Sequence, residues 1–286
     1  MPMIDADTRL CAVIGHPVGH SLSPAIHNAA YEALDLNFAY LAFRVEDVGA
    51  FLAGMKSVAT FRGASVTLPH KLAVIEHLDF IDPMAEKVGS VNTITHEDGR
   101  LIGSTTDGPG TLRAFEEAGV NLAGKRVLFL GAGGAVRAVA FAVAEVGSPG
   151  RITLLGRNPE RVAPLADDLR AKTSVPVAQG SLAVDVEEGL EEHDIIIQGT
   201  PVGMAPGCEG ETCVPADALR PDHVVFDMVY KPLKTRLVQD AEEAGCAVIS
   251  GLEMLIQQGA LQFERWTGQR APVEAMRRAA LDALER

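Results

Sequence analysis

Lys71, in Val66-Thr67-Leu68-Pro69-His70-Lys71, and Asp107, in Thr106-Asp107-Gly108, offer a pair able to hold and pass a proton. Oxidising a secondary alcohol by hydride transfer needs such a group, which takes the hydroxyl proton as the hydride leaves and returns it in the reverse direction. Lysine is ordinarily too basic for that exchange. Lys71 falls in the first turn of a helix expected to begin near Pro69, where the positive dipole end and partial burial favour release of a proton, and Asp107 is the counterweight. Taken singly, each residue reads as well as a surface lysine or a helix cap.

A glycine turn directs the pair toward redox chemistry. The strand expected at Arg126 to Leu130 runs into Gly131-Ala132-Gly133-Gly134-Ala135 and then a helix, an arrangement that brings backbone N–H groups to a pyrophosphate. Gly131 and Gly133 fill the first two glycine positions of G-x-G-x-x-G, while the third falls on Val136. A tight strand-to-helix turn holding no ligand is the plainer alternative. The next strand ends in Leu155-Gly156-Arg157-Asn158, where an NAD-binding chain usually places a carboxylate for the ribose 2′-hydroxyl. Arg157, with Arg161 one turn later, would instead pair a 2′-phosphate, so NADP is expected over NAD.

Ser21 and Ser23 flank Leu22 just before Pro24, and their hydroxyls could hydrogen-bond a small carboxylate at that helix N-terminus or cap the helix. Asn92 reads as a buried turn or strand-end amide, and Gln258 as part of a polar helix face.

The elements that must position these groups alternate. In the first part, strands are expected at Leu10 to Ile14, Tyr40 to Val45 and Gly63 to Thr67. Helices are expected from a Ser23 cap through Leu34, at Val48 to Met55 and at Pro69 to Leu78. Such alternation predicts parallel strands with crossover helices. Asp82-Pro83 starts a further short helix, and Glu97-Asp98-Gly99-Arg100 joins two strands in a hairpin. A helix capped by Asp107 follows. Beyond the glycine turn, strands at Ile152 to Leu155, Ile195 to Gln198, Val224 to Asp227 and Ala247 to Ile249 alternate with helices, including one near Glu160 to Lys172. With the strand at Arg126 to Leu130 these make five, and such a series with intervening helices would suit a nucleotide-binding domain. The fold class is therefore α/β: an N-terminal α/β substrate domain, 1–106, completed by helices from 252–286, and a Rossmann-type doubly wound parallel sheet over 107–251.

With 286 residues, 47% hydrophobic and 22% charged, the chain has the composition of an ordinary α/β protein. A net charge of −13 argues against nucleic acid or an anionic membrane as partner. The four cysteines, Cys11, Cys208, Cys213 and Cys246, lack the spacing of a zinc site or a disulfide scaffold, so neither is expected. No apolar run is long enough to cross a bilayer, and Asp5 and Asp7 stand where an export leader is basic, so a cytoplasmic location is expected.

Together these segments resemble the shikimate dehydrogenase family over nearly the whole chain. The likeness rests on separate motifs in the family's order, among them Gly15-His16-Pro17-Val18-Gly19-His20-Ser21-Leu22-Ser23-Pro24, the Lys71 and Asp107 motifs, and Gly89-Ser90-Val91-Asn92-Thr93-Ile94. The glycine turn, Thr200-Pro201-Val202-Gly203-Met204, Gly251-Leu252-Glu253-Met254-Leu255 and Gln257-Gln258-Gly259-Ala260 complete it. The resemblance implies reversible NADP-dependent reduction of 3-dehydroshikimate to shikimate in aromatic amino-acid biosynthesis, with the substrate in a cleft between domains. By position, Lys71 and Asp107 match the family's catalytic pair, Ser21 and Ser23 its carboxylate-binding hydroxyls, and Thr67, Asn92 and Gln258 its ring-hydroxyl contacts. Tyr230 matches a tyrosine near the substrate, Met254 a residue near the nicotinamide, and Arg157 and Arg161 the clamp on the cofactor phosphate. The partner is thus a small molecule, and the chain a monomer or homodimer.

Two departures stand out. Ser65 and Thr105 occupy places where the family usually has asparagine, and Asn158 replaces a common threonine. The shorter side chains leave open a relative acting on quinate or aminoshikimate with relaxed cofactor use. A non-enzymatic NADP-binding regulatory protein is the alternative of another class, and it would not need Lys71 and Asp107.

Overall fold

The structure, a computed structural model, describes residues 4–285. The chain divides into two compact units: one runs to Gly110 and resumes at Ile256, and the other is Thr111–Leu255.

The first unit contains β1 (Arg9–Gly15), α1 (Ser23–Ala33), β2 (Phe38–Arg44), α2 (Val48–Lys56) and β3 (Phe61–Val66). Next come α3 (His70–Ala73), β4 (Phe80–Ile81), α4 (Pro83–Val88), β5 (Thr93–Glu97), β6 (Arg100–Ser104) and the start of α5 (Asp107–Glu117). Its sheet has the order β2-β1-β3-β5-β6-β4. The expectation of parallel strands holds for β1 with β2 and β3, whereas β5 runs antiparallel to both β3 and β6. The reason is local. Asp98 and Gly99 both take positive φ, 48° and 73°, which closes a two-residue hairpin and forces β5 and β6 to run in opposite directions.

Apolar side chains from the strands and α2, including Ile14, Leu52, Phe61 and Ile94, form a buried cluster on this sheet. Such burial is the main stabilising term for the unit.

The second unit holds β7 (Arg126–Leu130), α6 (Gly134–Ala142), β8 (Arg151–Gly156), α7 (Pro159–Lys172), β9 (Val177–Ser181) and α8 (Val186–Glu192). It continues through β10 (Ile195–Gln198), β11 (Val224–Asp227), α9 (Arg236–Glu243) and β12 (Ala247–Ser250) into α10 (Gly251–Thr267), which α11 (Val273–Leu284) follows. All strands are parallel in the order β12-β11-β10-β7-β8-β9. Read from the other edge, this is the doubly wound order of a dinucleotide-binding fold, with the switch point between β7 and β10. β7, Arg-Val-Leu-Phe-Leu, is buried from Val127 onward, as a central parallel strand must be.

Helices α5 and α10 carry the chain across the unit boundary. Beyond it, α10 belongs to the first unit, where Trp266 Nε1 donates to Ile94 O at 2.9 Å and Gln262 Nε2 donates to Thr93 Oγ1 at 2.9 Å.

Candidate active site

The expected helix from Pro69 to Leu78 is a single α turn, α3, followed by a 3-10 turn at Val74–His77. That turn is enough to place Lys71. Its carbonyl accepts from Val91 N at 2.9 Å, which fixes α3 against the stretch leading to Asn92. Asn92 is in turn held from both sides, its carbonyl accepting from Val66 N at 2.7 Å and its N–H donating to Ser104 O at 3.1 Å.

Lys71 Nζ donates to Asp107 Oδ2 at 2.6 Å, and the two side chains are only 20% and 11% exposed. Asn92 Nδ2 donates to the other carboxylate oxygen at 2.7 Å. The orientation of that amide is determined by the protein, because Asn92 Oδ1 accepts from Thr106 N at 2.8 Å and from Thr93 Oγ1 at 2.7 Å. Only an oxygen can accept there, so the NH₂ must face Asp107. Asp107 opens α5, and its carboxylate is held on both oxygens.

Ser23 is not the cap of α1. It is the first helical residue, Leu22 occupies the cap position without a side-chain bond, and Ser21 Oγ accepts from Ser23 N at 3.2 Å. The hydroxyl before the turn thus does the work expected of Ser23, a local serine turn in front of Pro24. Thr67 follows β3, half-buried, and its Cγ2 lies within 2.4 Å of where a side chain on Gly15 would begin. Gln258 is buried on α10, with its backbone packed on Gly110. Ser65 and Thr105 are both buried, and the Ser65 hydroxyl bonds to Tyr40 and Gln262.

In the second unit Gly131 takes φ +107°, a conformation costly for any side chain, and a Cβ there would stand 3.1 Å from Gly199 O. These two glycines directly follow β7 and β10, on either side of the switch point. A Cβ on Gly133 or Gly134 would meet open space, and Gly133 caps α6 without a side-chain bond, leaving first-turn N–H groups for an anion. Ala132 and Ala135 complete the turn, both half-buried. Arg157 and Arg161 are exposed and, among the described residues, neither guanidinium is in an ion pair. Asn158 caps α7, its side chain accepting from Glu160 N at 3.0 Å. These features fit a dinucleotide carrying an additional phosphate.

Tyr230 is half-buried in the loop after β11, and burial pushes its phenol up. The loop is anchored by Asp227, which accepts from Thr235 Oγ1 at 2.6 Å and Val229 N at 3.0 Å, and whose carboxyl is raised by burial. Met254 is buried in the first turn of α10.

Direct bonding therefore joins Lys71, Asp107 and Asn92. Thr93, Thr106, Tyr40 and Gln262 are the members of this network that sequence reasoning missed. A capping-like Thr-Asp pair signals Thr106, but the others carry no local signal, since Gln262 meets Thr93 across 169 positions.

No helix among the described residues is long and apolar enough to cross a membrane, and no group of His, Cys, Asp and Glu among them could hold a metal ion.

Residues 13–94 match the family model for the shikimate dehydrogenase substrate binding domain, and residues 251–281 match that for the shikimate 5'-dehydrogenase C-terminal domain. A shikimate dehydrogenase (NADP(+)) of Moorella thermoacetica is 48% identical over 99% of this chain and 96% of its own length. Among solved structures, a shikimate dehydrogenase in complex with NADP+ superimposes with a TM-score of 0.92 at 41% identity, covering 98% of this chain and 97% of the other. The shikimate 5-dehydrogenase of Listeria monocytogenes, in complex with shikimate and NAD, gives 0.92 at 38% identity, covering 97% and 98%.

Proposed function

This chain belongs to the shikimate dehydrogenase family, and on that premise we propose that it catalyses the reversible NADP-dependent reduction of 3-dehydroshikimate to shikimate. The observation that carries the reading is the enclosed contact of Lys71 Nζ with Asp107 Oδ2 at 2.6 Å, together with the Asn92 amide on the second oxygen. In reduction, the Lys71 ammonium gives its proton to the substrate carbonyl oxygen as that carbon becomes a CH–OH centre, and in oxidation the neutral amine takes it back. Asp107 orients the amine and holds its charge between these steps. NADP, when bound, supplies the hydride donor and acceptor.

The remaining residues bind and orient. Ser21 and Ser23 hold the substrate carboxylate, and Thr67, Asn92 and Gln258 read the ring hydroxyls. Tyr230 lies toward the substrate and Met254 toward the nicotinamide. The turn from Gly131 to Ala135 receives the pyrophosphate, and Arg157 with Arg161 pairs the 2′-phosphate. The unpaired guanidiniums support NADP over NAD. The enzyme acts in the cytoplasm on a small soluble anion, without nucleic acid, as a monomer or homodimer.

The test is an activity panel of shikimate and quinate with NADP and NAD, read by nicotinamide absorbance. Shikimate with NADP has the highest kcat/KM on this reading; quinate with NAD as the best pair would overturn substrate and cofactor together. Lys71→Ala lowers kcat by about 10²- to 10⁴-fold with little change in KM, the range for loss of an acid–base group. An unchanged turnover number removes the lysine from the chemistry.

A further inference from the structure

Ser65 stands where the family usually has asparagine, and its hydroxyl is engaged within the protein. The residue is 7% exposed, and its hydroxyl donates to Gln262 Oε1 at 2.7 Å. A serine has one proton to give, so in the 2.6 Å contact with Tyr40 the tyrosine hydroxyl must be the donor. Gln262 Nε2 donates onward to Thr93 Oγ1 at 2.9 Å, and Thr93 Oγ1 donates to Asn92 Oδ1 at 2.7 Å. Asn92 Nδ2 then donates to Asp107 Oδ1 at 2.7 Å. Every link runs in the same sense, from Tyr40 to the carboxylate that holds Lys71.

We propose that Tyr40, Ser65, Gln262 and Thr93 are positioning residues, a one-way hydrogen-bonded relay that fixes the Asn92 amide and orients the Asp107 carboxylate for the reaction. Hydrogen bonds aligned head to tail polarise one another, so each donor strengthens the next. The relay also sets amide identities. With Ser65 donating to its oxygen, Gln262 presents its NH₂ to Thr93 and, at 3.3 Å, to Asn92 O; without that donor only these contacts hold the amide, and its grip on the Thr93 hydroxyl loosens. Gln262 reaches the relay from α10, and the ring of Tyr40 is stacked on His27 with centroids 4.3 Å apart, which holds the hydroxyl in place. The departure at position 65 is thus a matter of support for the reacting pair.

The inference rests on the proposed reaction, and the test separates the two. Ser65→Ala and the near-isosteric Tyr40→Phe are compared with wild type and with Ser65→Thr, which keeps the hydroxyl. Each hydroxyl deletion lowers kcat roughly 2- to 12-fold, the range for one hydrogen bond, with KM for shikimate within about twofold. The acid limb of the kcat profile moves to higher pH, and Ser65→Thr restores both. Exchange of the Asn92 side-chain amide protons, followed by NMR without substrate, quickens in the two deletions. The relay is overturned if kcat, its pH profile and amide exchange stay as in wild type, if KM alone rises, or if Ser65→Thr fails to rescue. A wild type that does not oxidise shikimate would sink the reaction, while the amide exchange would still decide the relay.

Discussion

Acid should destabilise the first unit through a single buried histidine. His27 lies fully inside, its ring faced by Tyr31, Tyr40 and Trp266 at centroid distances of 6.2, 4.3 and 5.2 Å. Neither ring nitrogen has a hydrogen-bond partner. Burial pushes its pKa down from 6.5 to about 3; Gln262, close by without reaching bonding geometry, opposes this weakly. The two tyrosines are pushed up by burial, so no facing ring carries charge at neutral pH. In the unfolded chain His27 takes up a proton near its ordinary value and in the folded chain it does not. Its contribution to stability is therefore fully present above about pH 6.5 and is lost as pH falls toward 3. Each pH unit in that window is about 1.4 kcal/mol, so from pH 7 to pH 5 the loss is roughly 2 kcal/mol.

Trp266 is the chain's one tryptophan and neighbours His27, so its fluorescence reports unfolding of this unit directly. Urea unfolding of wild type and His27→Leu at pH 7 and pH 5 gives the comparison. The leucine variant should lose about 2 kcal/mol less on acidification. His193 and His223, also pushed down by burial, titrate equally in both proteins and cancel. If the two proteins show the same pH dependence, the buried neutral imidazole is not the cause.

Two further outcomes follow from the geometry. Arg157→Ala combined with Arg161→Ala should raise KM for NADP about 10- to 150-fold while leaving NAD nearly unchanged, as the loss of charge-assisted bonds to a phosphate dictates; an equal effect on both cofactors would place the arginines elsewhere. Gly110→Ala would set a Cβ 2.6 Å from Gln258 N and 2.7 Å from Gln258 Cα, so α5 and α10 must separate. Thermal unfolding should show a lowered Tm and steady-state kinetics a raised KM for shikimate, and a variant with wild-type values for both would refute the packing argument.

Where a signal was local, the sequence carried it. Asp98-Gly99 announced its hairpin, and the run from Arg126 to Leu130 into the glycine turn announced β7, because turn chemistry and burial on both faces are written into consecutive residues. The misses have physical reasons. β9, Val177–Ser181, lies at a sheet edge with little burial, so it lacks the apolar run that marks its neighbours. β4 is two residues long and has no pattern to display. The cap expected at Ser23 is not made, because the helix starts one residue earlier with Leu22 at the cap position, and Ser21 Oγ accepts from Ser23 N in a local turn. At the site, residue types and their order pointed to Lys71, Asp107 and Asn92. The relay behind them was not legible, because its members come from β2, β3, β5 and α10 and are joined only by the tertiary fold.

The return of α10 into the first unit has a consequence for biosynthesis. Thr111–Leu255 is a continuous stretch that can close its sheet as soon as it clears the ribosome, whereas the other unit begins earlier and must wait for Gln262 and Trp266. Until those residues are made, Ile94 O and Thr93 lack their partners, and the half of the molecule translated first is the half that matures last.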